Sequence, residues 1–117
     1  MPEFFHDKRL YYTPLEFALS HLGGTWKMPI LWRLQGKPMR FNALKKDIPH
    51  ITDKMLTTEL KTLVEKGLIF REVFAVVPPK VEYSLTDKGL RAIPIIQTIM
   101  HYGNELIEEA GIELPAK

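Results

Sequence analysis

Residues 51–67, ITDKMLTTELKTLVEKG, decide how the rest of the chain is read. Wound as a helix, they place Leu56, Leu60, Leu63 and Val64 on one side at the i, i+4, i+7, i+8 spacing of a core-facing stripe. Lys54, Thr58, Lys61 and Thr62 fall on the opposite side. Thr52 or Asp53 stands at the front, where a side-chain oxygen can accept from first-turn N–H groups that lack an intrahelical partner. Gly67 closes the helix, since glycine enters the left-handed conformation without steric cost. The polar side carries cations and short hydroxyls with no bulk, a surface suited to phosphates and base edges. An ordinary solvated helix face has the same makeup, so the flanking elements have to decide between the two.

Upstream, Phe41, Leu44 and Ile48 are in register for another helix, which Pro49 ends. Only Pro49-His50-Ile51 separates the two stretches, and two short amphipathic helices joined this tightly make a helix-turn-helix. Downstream the period changes. Positions 68–76 are rich in β-branched and aromatic residues, and 80–85 alternate Val81, Tyr83 and Leu85 with Glu82 and Ser84. Val77-Pro78-Pro79 between them cannot supply the hydrogen bonds of a central strand and must be the exposed tip of a hairpin. A two-stranded hairpin directly after the second helix is a wing.

Farther out, Thr13-Pro14 reads as a helix start, followed by a stripe of Leu15, Ala18, Leu19 and Leu22 that Gly23-Gly24 stops. Thr25 is a candidate cap for a second helix, which is expected to begin near Pro29 or bend there. Gly36-Lys37-Pro38 is a turn, and Met39-Arg40 a very short strand. Thr86-Asp87 opens a long helical pattern to Ala110, with Pro94 expected to kink or split it. Phe4, Phe5, Leu10, Tyr11 and Tyr12 are too apolar for a free tail and should dock on this domain or on a second copy.

At 117 residues, with 45% apolar and 26% charged residues, the chain is expected to form one globular domain over 1–117. Its net charge of +2 permits nucleic acid as a partner, and the distribution says more than the total. Between positions 36 and 66, Lys37, Arg40, Lys45, Lys46, Lys54, Lys61 and Lys66 outnumber Asp47, Asp53, Glu59 and Glu65, whereas after position 103 Glu105, Glu108, Glu109 and Glu113 face Lys117 alone. The absence of cysteine removes disulfides, thiolate zinc sites and thiol-based sensing. His6, His21, His50 and His101 lack the paired spacing of a metal site. No nucleophile-base-acid grouping or glycine-rich phosphate loop emerges, so neither catalysis nor a cofactor is expected. No apolar run is long enough for a membrane span, and the reading is of a cytoplasmic protein with no membrane partner.

Taken together the pattern resembles the HxlR-type winged helix-turn-helix transcriptional regulators, relatives of the MarR class. The resemblance rests on Gly23-Gly24-Thr25-Trp26-Lys27 leading into Ile30-Leu31, on Arg40-Phe41-Asn42-Ala43-Leu44, and on Ile51-Thr52-Asp53-Lys54-Met55-Leu56-Thr57 with Leu60 and Leu63. It continues through Lys66-Gly67-Leu68-Ile69-Phe70-Arg71, the run Val77 to Thr86, and Lys88-Gly89. It implies an α+β, mostly α fold with a two-stranded hairpin wing and terminal dimerisation helices: a family-like core over 13–103, with 1–12 and 86–110 as dimerisation elements. It also implies a homodimer that binds double-stranded DNA at a pseudo-palindromic operator, more readily as repressor than as activator. Groove contacts would come from Thr52, Asp53, Lys54, Thr57, Thr58 and Lys61; the wing would supply Lys80, and Arg40 with Asn42 would meet phosphate at the front of the preceding helix. Many members carry a reactive cysteine just before the proline that opens the first core helix. Here that position is Thr13, so any signal must be another one, such as a small-molecule effector seated in an apolar pocket of the dimer interface.

Several residues have a second reading. Asp53 either caps its helix or meets a base, Thr57 lies at the boundary between core and groove, and Arg71 either pairs with Glu82 across the hairpin or meets phosphate. The alternative for the whole chain is a protein-interaction module whose lysine face docks an acidic partner instead of DNA.

Overall fold

The computed structural model describes residues 3–115. Along the chain run β1 (Phe4–His6), β2 (Arg9–Tyr11), α1 (Pro14–Leu22), α2 (Lys27–Arg33), α3 (Phe41–Asp47), α4 (Asp53–Glu65), β3 (Ile69–Phe74), β4 (Lys80–Leu85) and α5 (Asp87–Glu109). This is the mostly helical α+β winged helix-turn-helix expected from the sequence, with one addition, the N-terminal hairpin.

The core forms where the aliphatic faces of α2, α3, α4 and β3 meet: Ile30, Leu31, Leu34, Leu44, Leu56, Leu60, Leu63 and Ile69 are fully buried. Each such side chain contributes roughly 1.5–3 kcal/mol, so the three leucines of α4 alone anchor that helix firmly by their inner face. Lys27 of α2 adds a half-buried ion pair to Glu59 of α4 at 2.9 Å.

Of the four threonines expected at helix starts, Thr13, Thr52 and Thr86 cap there and one does not. Thr13 and Glu16 form a reciprocal capping box with Pro14 behind it, and Thr52 Oγ1 accepts the Met55 N–H at 3.1 Å. Thr25 is not a cap. Trp26 takes that position and α2 begins at Lys27, which puts Pro29 in the first turn, where an N–H would have no partner and no bend is needed. Nor does Pro94 split the last helix. α5 runs unbroken to Glu109, because a proline removes a single backbone bond while Ala92 and Ile96 stay buried on either side of it.

β1 and β2 pair from Phe4↔Tyr11 to His6↔Arg9 around Asp7 and Lys8, both at positive φ as a two-residue type I′ turn requires. Phe4 stacks on Tyr11 at 5.3 Å, and both meet Phe17 of α1 edge-on. Phe4 and Tyr11 thus dock on the chain's own α1, whereas Phe5 and Tyr12 stay exposed. The wing pairs Ile69↔Leu85 through Phe74↔Lys80, and Met39 exchanges both backbone hydrogen bonds with Tyr83 at 2.9 and 2.8 Å, as the short strand expected there.

Candidate nucleic-acid interface

With its leucines inward, α4 turns Lys54, Thr57, Thr58 and Lys61 to solvent, and all four are exposed. Lys54, Thr58 and Lys61 sit one helical turn apart along one strip. The turn before α4 is tight because His50 adopts φ +70, a left-handed conformation that a side chain tolerates only where its surroundings enforce it. Pro49 and Ile51 flank it, and Ile51 is buried as an anchor.

The remaining candidates divide into those placed as the sequence suggests and those placed differently. Arg40 holds the N-cap position of α3 in extended conformation, with Asn42 one residue into the helix; both are exposed at its front. Thr52 is the cap of α4, which frees Asp53 for another role: its carboxylate accepts from Lys45 Nζ of α3 at 3.1 Å, tying the two helices of the motif together. This surface pair is worth roughly 0–1 kcal/mol, and it brings Lys45, a residue not singled out from sequence, to the front edge of α4. Replacing Thr52 by alanine should cost about 1 kcal/mol of stability, read as a lower midpoint in urea.

Lys80 is the first residue of β4, opposite Phe74 in the pair that borders the tip of the wing. Its ammonium lies 4.4 Å from the Phe74 ring centroid and 3.6 Å from Glu82, and the Lys80 side chain is thereby partly engaged within the hairpin. The tip itself, residues 75–79, is uncharged and exposed, with Val77 entirely open to solvent.

Arg71 does not pair with Glu82. The register sets Arg71 opposite Tyr83 and Glu72 opposite Glu82, so Arg71 and Glu82 point to opposite faces of the hairpin, and Glu82 takes Lys80 instead. Arg71 shares its face with Tyr83 and joins Thr57, Lys61, Val64 and Glu65 in lining a notch of about 300 Å³ between α4 and the wing. Two cations, Lys61 and Arg71, thus converge from two elements with no carboxylate within ion-pair distance of either among the described residues. The sequence left Arg71 between Glu82 and phosphate; choosing needed the register, which the proline-rich loop concealed, and the register removes the Glu82 pairing.

Away from this surface, α1 buries only Leu22, while Leu15 and Leu19 are 68% and 51% exposed. Ile95, Ile99, Met100 and Leu106 leave a similar open apolar row along α5. Between α2 and α5, Met28, Trp32, Ile96, Ile99 and Met100 line an apolar cleft beside that row. Among the described residues no helix is long and apolar enough to cross a membrane, and no histidine or carboxylate cluster has the makeup of a metal site.

Known proteins share this architecture. The model of the HxlR-like helix-turn-helix family matches residues 21–111. An uncharacterised HTH-type transcriptional regulator of Methanothermobacter thermautotrophicus is 43% identical over 93 residues, covering 80% of this chain and 71% of its own length. The HTH-type regulator YdzF of Bacillus subtilis is 46% identical over 91 residues, 77% of this chain and 84% of its own. The solved structure of the redox regulator HypR in its oxidised form superposes with a TM-score of 0.75 at 40% identity, covering 80% of this chain and 96% of that one. The reduced form of YodB from Bacillus subtilis gives 0.73 at 32%, over 85% and 97%. The family match spans most of the chain and the relatives agree in fold and sequence, and so the chain belongs to the HxlR family of winged helix-turn-helix transcriptional regulators, which are not enzymes.

Proposed function

We propose that the protein is a homodimeric, sequence-specific DNA-binding repressor that seats α4 of each protomer in successive major grooves of a pseudo-palindromic operator. The observation that carries this reading is the outward strip of Lys54, Thr58 and Lys61 on a helix whose other face is locked into the core. Thr57 and Thr58 reach base edges; Lys54 and Lys61 meet phosphate or guanine. Arg40 and Asn42 hold backbone at the front of α3, Asp53 holds Lys45 there with it, and Thr52 presents the helix end. The uncharged loop at the wing tip suits the minor groove better than the phosphates, while Lys80, bordering that loop, meets backbone beside it.

Dimerisation follows from the apolar rows on α1 and α5, which a monomer would leave in water. Two α4 helices brought together by α5 would address half-sites about 34 Å apart or a multiple of it. An apolar effector would lodge in the α2–α5 cleft, beside the dimer face. In this sequence it cannot act through a thiol, because there is no cysteine.

Fluorescence anisotropy with the DNA upstream of the chain's own coding region, alongside light scattering for mass, tests the reading. Salt-sensitive binding of one dimer per duplex, far tighter than to scrambled DNA, is expected. Equal affinity for every duplex, or a monomer at all concentrations, overturns it. Arg71→Ala belongs to the same test. It should leave stability within about 0.5 kcal/mol and weaken binding roughly thirtyfold at physiological salt, as two lost phosphate contacts per dimer would.

A further inference from the structure

A second concave surface lies on the side of the molecule formed by the N-terminal hairpin, the end of α1, the last turn of α4 and the first turn of α5. It is a mostly polar depression of about 310 Å³. Arg9, Lys66 and Lys88 converge on it from three different elements, and none of them has a carboxylate within 4.0 Å among the described residues. Two of the three side chains are held in place. Arg9 lies over the Tyr11 ring at 4.7 Å, and Lys88 Nζ spends one of its three donors on the Lys66 carbonyl at 3.1 Å. Lys88 is also a cation in the first turn of α5, where the helix dipole disfavours positive charge. His21 and Ser20 line the same wall, with His21 Nδ1 2.9 Å from the Phe17 carbonyl. Two carboxylates, Asp7 and Glu65, also stand on the rim; both are exposed, and Asp7 lies 3.3 Å from His6.

We propose that this depression binds a small oxyanion, a phosphate monoester or a carboxylate, held by Arg9, Lys66 and Lys88. Three converging cations with no carboxylate partner among the described residues are completed by an anion with several acceptor oxygens. The ligand would bridge the N-terminal arm to the last turn of α4, and so couple the arm to the helix whose outer face carries Lys54 and Lys61. The inference does not depend on the DNA reading, since the depression and the α4 strip are separate surfaces.

The test is an amide-resolved NMR titration of the full chain with sodium phosphate and, separately, sodium acetate, each against sodium chloride at matched ionic strength. Saturable shifts at Arg9, His21, Lys66 and Lys88 are expected with at least one of the two, and their ratio tells which source of oxyanion the site favours. Arg9→Gln and Lys66→Gln should each weaken that binding about tenfold, the loss of one charge-assisted hydrogen bond. Shifts confined to Lys54 and Lys61, or no specific shift with either salt, overturn the proposal; the DNA titration above would be unaffected by that outcome.

Discussion

Alanine at both Lys54 and Lys61 is expected to weaken operator binding by roughly a thousandfold at physiological salt. In a dimer the double substitution removes four cations from the duplex surface. Each neutralised phosphate contributes about 0.9 to the slope of log affinity against log salt, so the slope should flatten by about 3.5 and the affinity fall by about three decades. Both side chains are exposed and lie on the face of α4 away from its buried leucines. The folded state should therefore hold within about 0.5 kcal/mol per site, and a melt of the variant separates lost contact from lost fold. Anisotropy titrations across a salt series supply the slope. Parallel lines for the parent and the double variant would show that these lysines are merely solvated, and the groove assignment would fall with them.

Why α4 was legible from sequence alone, and other parts were not, has a physical reason. A 13-residue helix with leucines at helical spacing, a threonine at its front and a glycine at its end is specified locally, and the structure begins and ends it where those residues stand. The wing was legible for the same reason: alternation and a proline-rich tip are local signals. Features that failed to show depend on register or on distance. Arg71 and Glu82 are close in a hairpin drawn by eye, yet the register puts them on opposite faces. Lys45 and Asp53 meet only after the turn through His50 has folded α3 back on α4. The N-terminal hairpin turns through Asp7-Lys8 without the Asn-Gly or Asp-Gly that marks such turns, and its strands are three residues each, too short to display a period. The stripe of α1 was visible as a stripe, but amphipathicity cannot say what covers it: Leu22 turns into the core and Leu15 and Leu19 turn out.

Gly89→Ala is expected to destabilise the protein by about 3 kcal/mol, lowering Tm on the order of 10 °C, although it adds a single methyl group and favours helix. A Cβ at Gly89 would stand 3.2 Å from the Leu68 carbonyl carbon and closer still to its oxygen, with Leu85 Cδ2 at 3.1 Å on the other side. The obstacle is backbone, which cannot turn aside as a side chain can. The reason for so close an approach is the joint that Gly89 belongs to. Thr86 Oγ1 donates to the Gly67 carbonyl at 2.6 Å and accepts the Gly89 N–H at 3.1 Å, while the Thr86 N–H donates to the Leu68 carbonyl at 3.2 Å and Lys88 reaches the Lys66 carbonyl. Residues 66–68 end α4 and open the wing, and 86–89 begin α5, so this knot sets the angle between the groove-facing helix and the helix proposed to make the dimer. Relief of the clash by moving α5 would change the spacing of the two α4 helices, and operator affinity should fall further than the loss of folded protein alone explains. The parent protein, melted and titrated alongside, is the reference. Both melts must be run at one protein concentration, because a dimer's Tm depends on it. A Gly89→Ala protein that melts with the parent and binds the operator equally well would mean that the joint yields freely, and that α4 and α5 are not rigidly coupled through it.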